Sequence, residues 1–304
     1  MTDHPTIDTR SGFVALVGAP NAGKSTLMNQ LVGSKISIVT HKVQTTRAVM
    51  RGIAVHEGCQ IVFVDTPGIF TPRRRLDEAM VSTAWGSARD ADISVFLIDA
   101  ERGITEDVEQ IVADLGTVPI PVVLLINKID RIKREELLTL TSRLNELHSF
   151  TETFMISALN GDGCREFIDY LANNLPLGPF MYPEDQISDL PMRVLAAEVT
   201  REKLYLRLHQ ELPYASHVET EAWEEKKDQS VKISQVIYVE RKSQKKIVIG
   251  KNGATIRAIS MAARKELEEL TEQKVHLFLF VKVRENWGDD PDRYREMGLE
   301  FPTA

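Results

Sequence analysis

The sequence predicts two consecutive domains: an α/β domain with a mostly parallel sheet, followed by a smaller α+β domain. Three observations support this prediction. Short runs rich in Val and Ile alternate with stretches of helical spacing through residues 11–175, prolines break the pattern at 176–191, and a different order of elements follows. At 304 residues the chain is also long enough to build two hydrophobic cores.

The α/β prediction depends on five apolar runs of the kind found in buried central strands. These runs are 13–17, 61–64, 93–98, 122–126 and 153–156. Helical spacing predicts helices at 25–32, 107–115, 134–147 and 164–174. Because strands and helices alternate, we expect a parallel sheet covered by helices on both faces.

The second domain follows a segment that is rich in proline and glycine, which we interpret as an extended linker. After it, the pattern predicts a helix at 192–209, strands at 217–223 and 231–240, a glycine turn, a helix at 254–270 and a strand at 275–283. The predicted boundaries are an N-terminal tail at 1–10, the α/β domain at 11–177, the linker at 178–191, the second domain at 192–286 and a C-terminal tail at 287–304.

Composition narrows the class of protein. Hydrophobic residues make up 43% and charged residues 27% of the chain, close to globular averages, and no apolar run reaches the length of a membrane span. We therefore expect a cytoplasmic protein, with Cys59 and Cys164 as buried thiols. The net charge of −7 disfavours nucleic acid as a partner of the chain taken whole, although a local basic patch could still bind it.

The segment Gly18-Ala-Pro-Asn-Ala-Gly-Lys24-Ser25 has the spacing of a phosphate-binding loop and stands between a predicted strand and a predicted helix. In such a loop the backbone N–H groups converge on phosphate oxygens, the lysine reaches the terminal phosphates and the serine hydroxyl ligates Mg²⁺. The nucleotide contacts predicted here are Asn21, Ala22, Gly23, Lys24, Ser25 and Thr26.

Two further segments follow predicted strands and complete a nucleotide site. In Asp65-Thr-Pro-Gly68 the carboxylate can hold Mg²⁺, and the Gly68 N–H can reach the γ-phosphate. In Asn127-Lys-Ile-Asp130 a carboxylate can accept both N1–H and the exocyclic amine of guanine, a donor pair that adenine lacks. A site built on such a pair rejects analogues by roughly 10⁴–10⁵, so GTP rather than ATP is the predicted substrate.

The residues predicted to bind the base are Asn127, Lys128, Asp130, Ser157, Ala158 and Leu159. The last three follow another strand and can offer a backbone N–H to the guanine O6 atom. All of these loops come at strand ends, where open α/β sheets bind their ligands.

The ordered motifs between residues 11 and 175 resemble those of the translation-factor-related GTPases. The resemblance implies hydrolysis of GTP with Mg²⁺ and gives catalytic roles to Lys24, Thr46, Asp65 and Gly68. It implies that Thr46, within Gln44-Thr45-Thr46-Arg47, is the switch threonine that binds Mg²⁺ only in the GTP state, beside Ser25 and Asp65. Thr45 stays open as the alternative because the two threonines are adjacent.

Two positions near the phosphates bear on the rate of hydrolysis. Ile69 follows Gly68 where Ras-like members carry a water-orienting glutamine, so we expect slow intrinsic hydrolysis. In related members the asparagine matched by Asn21 holds K⁺. A turn-stabilising asparagine is an equally good interpretation of Asn21.

A Gly-x-x-Gly segment, Gly250-Lys-Asn-Gly253, lies inside a basic stretch of the acidic chain. Between residues 240 and 265 the only acidic residue is Glu240, and the basic residues are Arg241, Lys242, Lys245, Lys246, Lys251, Arg257, Arg264 and Lys265. Loop and element order resemble the type II K homology (KH) domain, which clamps about four nucleotides of single-stranded RNA. The predicted RNA contacts are Lys246, Ile249, Gly250, Lys251, Asn252, Gly253 and Arg257. Ile249, Ile256 and Ile259 could form an apolar groove for the bases, although ordinary core packing of an amphipathic helix must account for some of the three.

A phosphate-loop GTPase domain followed by a type II KH domain is similar to the bacterial ribosome-assembly GTPases. This similarity implies GTP and GDP as ligands, binding of 16S rRNA near its 3′ end, and a role in assembly of the 30S subunit. We expect a monomer with no DNA partner, in the cytoplasm or peripheral at the inner membrane. The alternative function is a constitutive RNA-binding protein whose GTPase domain is not coupled to RNA release.

Overall fold

The computed structural model of the chain describes residues 9–42, 45–209 and 212–302. They form two compact units. The first comprises the chain as far as Ser37, Thr46–Asp189 and the residues from Tyr294 onward, and the second comprises Ile38–Thr45 and Leu190–Arg293. None of the helices described combines the length and the apolar character that crossing a bilayer requires.

The first unit is a six-stranded α/β sheet with the strand order β2-β3-β1-β4-β5-β6. Its elements are β1 Arg10–Val17, α1 Lys24–Val32, β2 Met50–His56, β3 Cys59–Asp65, α2 Arg75–Asp90, β4 Ile93–Asp99, α3 Glu106–Leu115, β5 Val122–Asn127, α4 Arg134–Leu147, β6 Glu152–Ile156 and α5 Cys164–Asn174. All neighbouring pairs are parallel except β2 with β3. The predicted α/β class with a mostly parallel sheet is confirmed.

The sheet places the functional loops at one edge. Every residue of β3, β4 and β5 is buried, as their continuous Val and Ile runs require in a sheet covered on both faces. Because β1, β3, β5 and β6 run parallel, their carboxyl ends lie at the same edge. The phosphate loop and the segments after β3, β5 and β6 all start there.

Two elements of this unit have weak sequence signals and were not predicted. The strand β2 contains Gly52, which weakens strand propensity, but a Cβ at that position would lie 2.8 Å from the Val32 Cγ2 atom. The helix α2 begins at the last of three consecutive arginines and contains Gly86. Its start is stabilised by Asp77, whose carboxylate accepts hydrogen bonds from the N–H groups of Arg73 and Arg74 at 3.2 and 3.1 Å.

The second unit is a three-stranded sheet, order β7-β8-β9, with helices. Its elements are α6 Met192–Arg207, β7 Ser216–Glu225, β8 Val231–Val239, α7 Lys242–Ile249, α8 Ala254–Thr271 and β9 Val275–Val283. β7 is antiparallel to β8 and β9 is parallel to it. The predicted type II KH order is confirmed, with α7 as an additional helix before the glycine loop. α7 has only eight residues, and its start is fixed by the Gln244 side chain, which accepts from the N–H groups of Glu240 and Arg241.

The segments predicted as linker and C-terminal tail form hydrogen bonds with strands and loops of the unit to which each belongs. In the first unit the Ile53 N–H donates to the Ile187 carbonyl at 2.9 Å, because β2 offers a free sheet edge to the extended proline-rich segment. The Val49 N–H in the same unit donates to the Met297 carbonyl. Trp287 lies in the second unit, where its indole N–H donates to the Ala215 carbonyl at 3.0 Å. A short helix, α9 Pro291–Glu296, follows.

Candidate nucleotide site and nucleic-acid interface

The phosphate loop between β1 and α1 requires glycine at both ends. Gly18 has a φ of 150°, and a Cβ there would lie 2.3 Å from the Leu97 carbonyl oxygen. Gly23 has a φ of 104° and caps α1, whose first turn contains Thr26. Asn21 also adopts a left-handed φ, 65°, a conformation that asparagine tolerates better than most residues.

Lys24 lies inside this loop. Its Nζ atom donates to the carbonyls of Gly18 and Ala19 at 2.9 and 3.1 Å, and the residue is buried. Burial lowers the pKa of the Lys24 ammonium to about 8, and the nearby Asp65 carboxylate offsets only part of that effect. A bound phosphate would supply a second anion to stabilise this buried cation.

Oxygen atoms that could hold Mg²⁺ cluster beside the loop. The Ser25 hydroxyl donates to Asp65 Oδ2 at 2.6 Å and lies 2.9 Å from the Thr46 Oγ1 atom, which is itself 3.4 Å from Asp65 Oδ2. Hydroxyl and carboxylate oxygens are the donors that Mg²⁺ prefers. The other Asp65 oxygen, Oδ1, is buried and has no hydrogen-bond partner among the described residues. An unpartnered buried carboxylate oxygen beside two hydroxyls fits a divalent cation.

The environment of Asp65 involves a residue that sequence reasoning missed. The Ser37 hydroxyl, fully buried, donates to Asp65 Oδ2 at 2.8 Å. Burial raises the pKa of the Asp65 carboxyl, although the hydroxyls and Lys24 act in the opposite direction. No spacing signal marks Ser37, because it lies in an irregular loop after α1. Thr45 lies elsewhere: its Oγ1 atom is 2.6 Å from Thr40 Oγ1.

Gly68 packs directly on the phosphate loop. A Cβ at this position would lie 2.9 Å from the Pro20 Cα atom, so only glycine allows this approach. The next N–H, that of Ile69, donates to the Gly18 carbonyl at 3.1 Å. The Ile69 side chain is 5% exposed and belongs to a core cluster with Val17 and Phe96. Its side chain therefore does not line the phosphate site.

The Asn127 side chain holds the base-binding loops together. Its Nδ2 atom donates to the Ala22 carbonyl at 2.8 Å, and its Oδ1 atom accepts from the N–H groups of Lys128 and Ala158 at 2.8 and 3.0 Å. One buried amide thus joins the ends of β5 and β6 to the phosphate loop. Within the described structure, Asn127 supports the site rather than facing an open space.

The group that can read guanine is Asp130, which is exposed at the end of the β5 loop. Its Oδ1 atom accepts from the buried Ser157 hydroxyl at 2.6 Å, which orients the carboxylate. An ionised carboxylate has further acceptor capacity for two donors on a base. Leu159, two residues after Ser157, is 70% exposed and offers an apolar surface near Asp130. Asp99 was missed by the sequence analysis; its carboxylate binds the Lys128 ammonium at 2.5 Å.

A second group of side chains with metal-ligand chemistry lies away from the phosphate loop. His56, Glu57 and Asp169 bring their ligand atoms within 4.8 Å of one another. The Arg165 guanidinium donates to Asp169 at 3.1 Å and to Glu57 at 3.1 Å. The arginine already neutralises these carboxylates, so the cluster is an ion-pair network rather than a metal centre.

In the second unit the Gly-x-x-Gly loop joins α7 to α8. Gly250 has a φ of 74°, and a Cβ there would lie 2.2 Å from the Thr255 Oγ1 atom. Gly253 has a φ of 75° with open space around its Cα, so its backbone can be approached closely. Asn252 also has a left-handed φ, 52°, and its side chain is exposed.

Exposed cations flank the loop. Lys246 lies in the last turn of α7, Lys251 in the loop and Arg257 in α8, and none of the three pairs with an acidic residue among those described. Ile249 and Ile256 are partly buried and pack against a core cluster, so they can form an apolar wall. Ile259 is fully buried in that core, so it is the one of the three isoleucines that packs inward and does not line a groove.

A second candidate surface, which the sequence did not predict, is a groove between α8 and β9. Its volume is about 160 Å³, and its lining comprises Ser260, Met261, Arg264, His276, Leu277 and Phe278. Phe278 is 47% exposed. Aromatic and cationic side chains in a groove suit single-stranded nucleic acid, because every base has a face on which such groups stack.

Comparisons with known proteins agree with this geometry. The model of the family described as 50S ribosome-binding GTPase matches residues 13–128, and the KH domain model matches residues 211–288. GTPase Era of Mesorhizobium japonicum is 70% identical over 305 residues, covering 99% of this chain and 98% of that protein. GTPase Era of Agrobacterium fabrum is 68% identical over 313 residues, covering 100% and 99%.

Two solved structures are similar over nearly the whole chain. One is an Aquifex aeolicus Era variant bound to GDP and AlF4⁻, with a TM-score of 0.90 and 38% identity over 95% of this chain and 99% of that one. The other is Era in complex with MgGDPNP and nucleotides 1506–1542 of 16S ribosomal RNA, with the same TM-score, identity and coverage.

The lowered pKa of Lys24 predicts that nucleotide affinity depends on pH. In the free protein the ammonium loses its proton above about pH 8, whereas bound phosphates keep it charged. Binding therefore takes up a proton, and GDP affinity should fall by up to about tenfold for each pH unit above that pKa. Fluorescence titrations across this range measure the slope. A Lys24→Gln variant should bind weakly with a flat profile, and a flat wild-type profile would contradict the assignment.

Proposed function

The chain belongs to the Era family of GTPases, and on this premise we propose that it is a Mg²⁺-dependent GTPase that binds the 3′ region of 16S rRNA during assembly of the small ribosomal subunit. The observation that carries the GTPase half is the oxygen cluster of Ser25, Thr46 and Asp65 beside the buried Lys24. Asp130 stands at the same edge of the sheet to select guanine.

Different residues of the phosphate site would bind the phosphates and the metal during hydrolysis. Lys24 and the N–H groups at the start of α1 bind the terminal phosphates, and the Gly68 N–H fixes the γ-phosphate. Ser25, Thr46 and Asp65 would hold Mg²⁺, which would offset the negative charge of the phosphates. The burial of Ile69 leaves no side chain at its position to orient the attacking water, in keeping with slow intrinsic hydrolysis. The left-handed φ of Asn21 fits a turn-stabilising asparagine, and K⁺ binding by its side chain stands beside that role as the other interpretation.

The RNA half of the proposal depends on the second unit. Its exposed Lys246, Lys251 and Arg257 surround a glycine loop whose backbone is open to a phosphate chain. The solved relative with a bound RNA holds nucleotides 1506–1542 of 16S ribosomal RNA. The 50S description belongs to a family model that covers only part of the GTPase unit, residues 13–128. We therefore propose the small subunit as partner, with a cytoplasmic monomer as the acting form.

Replacing Asp130 by Asn tests guanine recognition. An amide can donate where the carboxylate only accepts, so Asp130→Asn should lose affinity for GTP and gain affinity for xanthosine triphosphate, which carries a carbonyl in place of the guanine amine. We expect at least about a hundredfold change in the ratio of the two affinities, measured by competition binding.

The paired nucleotides make this experiment its own control, because a merely misfolded variant would lose both. Wild type should prefer GTP over both ATP and xanthosine triphosphate. A variant that kept its preference for GTP would show that Asp130 does not read the base.

Replacing Lys251 by Ala tests the RNA loop. The lysine should neutralise one phosphate, so Lys251→Ala should weaken binding to a 16S 3′-end oligonucleotide and reduce the slope of log K against log salt by about one unit. Titrations at several salt concentrations measure both quantities. The matched control is Lys227→Ala, an exposed lysine in the loop between β7 and β8, which should change neither. Unchanged affinity and slope in Lys251→Ala would contradict the loop assignment.

A further inference from the structure

The segment Ile38–Thr45 follows α1 in sequence but belongs to the second unit. Three side-chain contacts with α6 hold it there. The Val39 N–H donates to Glu202 Oε1 at 3.0 Å, the Lys42 ammonium donates to the carbonyls of Tyr205 and Leu208, and an arginine of α6 holds the end of the segment. The Lys42 ammonium is stabilised there in two ways, because it hydrogen-bonds the last carbonyls of the helix and lies at the negative end of the helix dipole.

Arg201 is the residue that holds the end of the segment. Its guanidinium NH2 group donates to the Thr45 carbonyl at 2.5 Å, and its Nε atom donates to Glu198 Oε1 at 2.7 Å. The side chain is 2% exposed and lies over the Tyr205 ring, 5.1 Å from its centroid. A buried, charge-assisted hydrogen bond is shorter and stronger than a neutral one. Glu198 and Tyr205 thus leave the guanidinium little freedom to move away from Thr45.

The Thr45 carbonyl is half of a rigid unit that contains the Thr46 N–H. A peptide group is planar, so fixing its oxygen also fixes the direction in which the Thr46 Cα is presented. The Thr46 Oγ1 atom lies 2.9 Å from the Ser25 Oγ atom and 3.4 Å from Asp65 Oδ2, among the proposed Mg²⁺ ligands. The arginine contact is therefore one residue away from a metal-ligand side chain.

We propose that Arg201 is a positioning residue for GTP hydrolysis, which holds the Thr45 peptide so that the Thr46 hydroxyl is presented to the metal. This inference rests on the GTPase function proposed above. It assigns to a helix of the RNA-binding unit a part in the nucleotide reaction. Since the switch threonine serves only the GTP state, loss of the contact should weaken GTP-dependent steps and spare GDP binding.

A double-mutant cycle between Arg201 and Thr46 tests the proposal. Arg201→Lys keeps a cation for Glu198 but cannot serve both Glu198 and the Thr45 carbonyl with guanidinium geometry. We expect kcat/KM for GTP to fall at least about fivefold and GDP affinity to stay within about twofold. In a Thr46→Ala background the same substitution should change kcat/KM less than about twofold, because the hydroxyl it positions is gone. Arg207→Lys, an exposed arginine of the same helix, should change neither quantity.

The possible results distinguish a failure of the positioning role of Arg201 from a failure of the proposed GTPase function. Wild type without GTPase activity would overturn the proposed function. Active wild type with equal losses from Arg201→Lys in both backgrounds, or with GDP affinity lost in step with kcat/KM, would mean that Arg201 only stabilises the fold. If Arg201→Lys melts at a much lower temperature than wild type, Glu202→Met, which removes the acceptor of the Val39 N–H at another anchor of the segment, gives a second cycle with Thr46. Additive losses there would overturn the proposal as well.

Discussion

The nucleotide site depends on one buried carboxylate. Asp65 accepts hydroxyl hydrogen bonds through one oxygen from Ser25, in the first turn of α1, and from Ser37 and Thr46, in the connection between α1 and β2. Its other oxygen has no partner among the described residues, and burial raises the pKa of the carboxyl. Leaving a charge in such a position is costly unless a cation offsets it. The same electrostatic need brings these segments together and favours the cation, Mg²⁺, that we propose at this carboxylate.

A chain of contacts within the second unit connects the segment Ile38–Thr45 to the glycine loop. Glu202 of α6 accepts from the Val39 N–H and also binds the Lys203 ammonium, which pairs in turn with Glu266 of α8. The helix α8 begins at the loop Gly250–Gly253. The segment Ile38–Thr45 contacts α6, the glycine loop begins α8, and an ion pair joins the two helices. This arrangement favours coupling of the nucleotide state to RNA binding over the alternative of an uncoupled RNA-binding module. The coupling itself is an energetic quantity that only affinities can establish.

Much of this could be predicted from the sequence because the signals are local. Buried parallel strands show continuous Val and Ile runs, and loops at strand ends carry fixed spacings, so the fold class and the main nucleotide residues follow from the residue order. Ser37 and Arg201 could not be predicted, since each acts through a contact with residues 28 or 156 positions away. Strand β2 was not predicted because Gly52, which the close approach of Val32 requires, interrupts the pattern of apolar residues that marks a strand. Helical spacing alone could not say which of Ile249, Ile256 and Ile259 face a groove, and Ile259 proves to lie in the core.

Coupling between the nucleotide state and RNA binding, which the contacts of the second unit favour, is tested most directly by RNA affinity in the two nucleotide states. Wild-type protein loaded with a non-hydrolysable GTP analogue and Mg²⁺, and the same protein loaded with GDP, would each be titrated with a 16S 3′-end oligonucleotide at one salt concentration. The account predicts dissociation constants that differ by at least about fivefold, with the nucleotide affinities shifted by the same factor when RNA is present. Equal dissociation constants in the two states would contradict it.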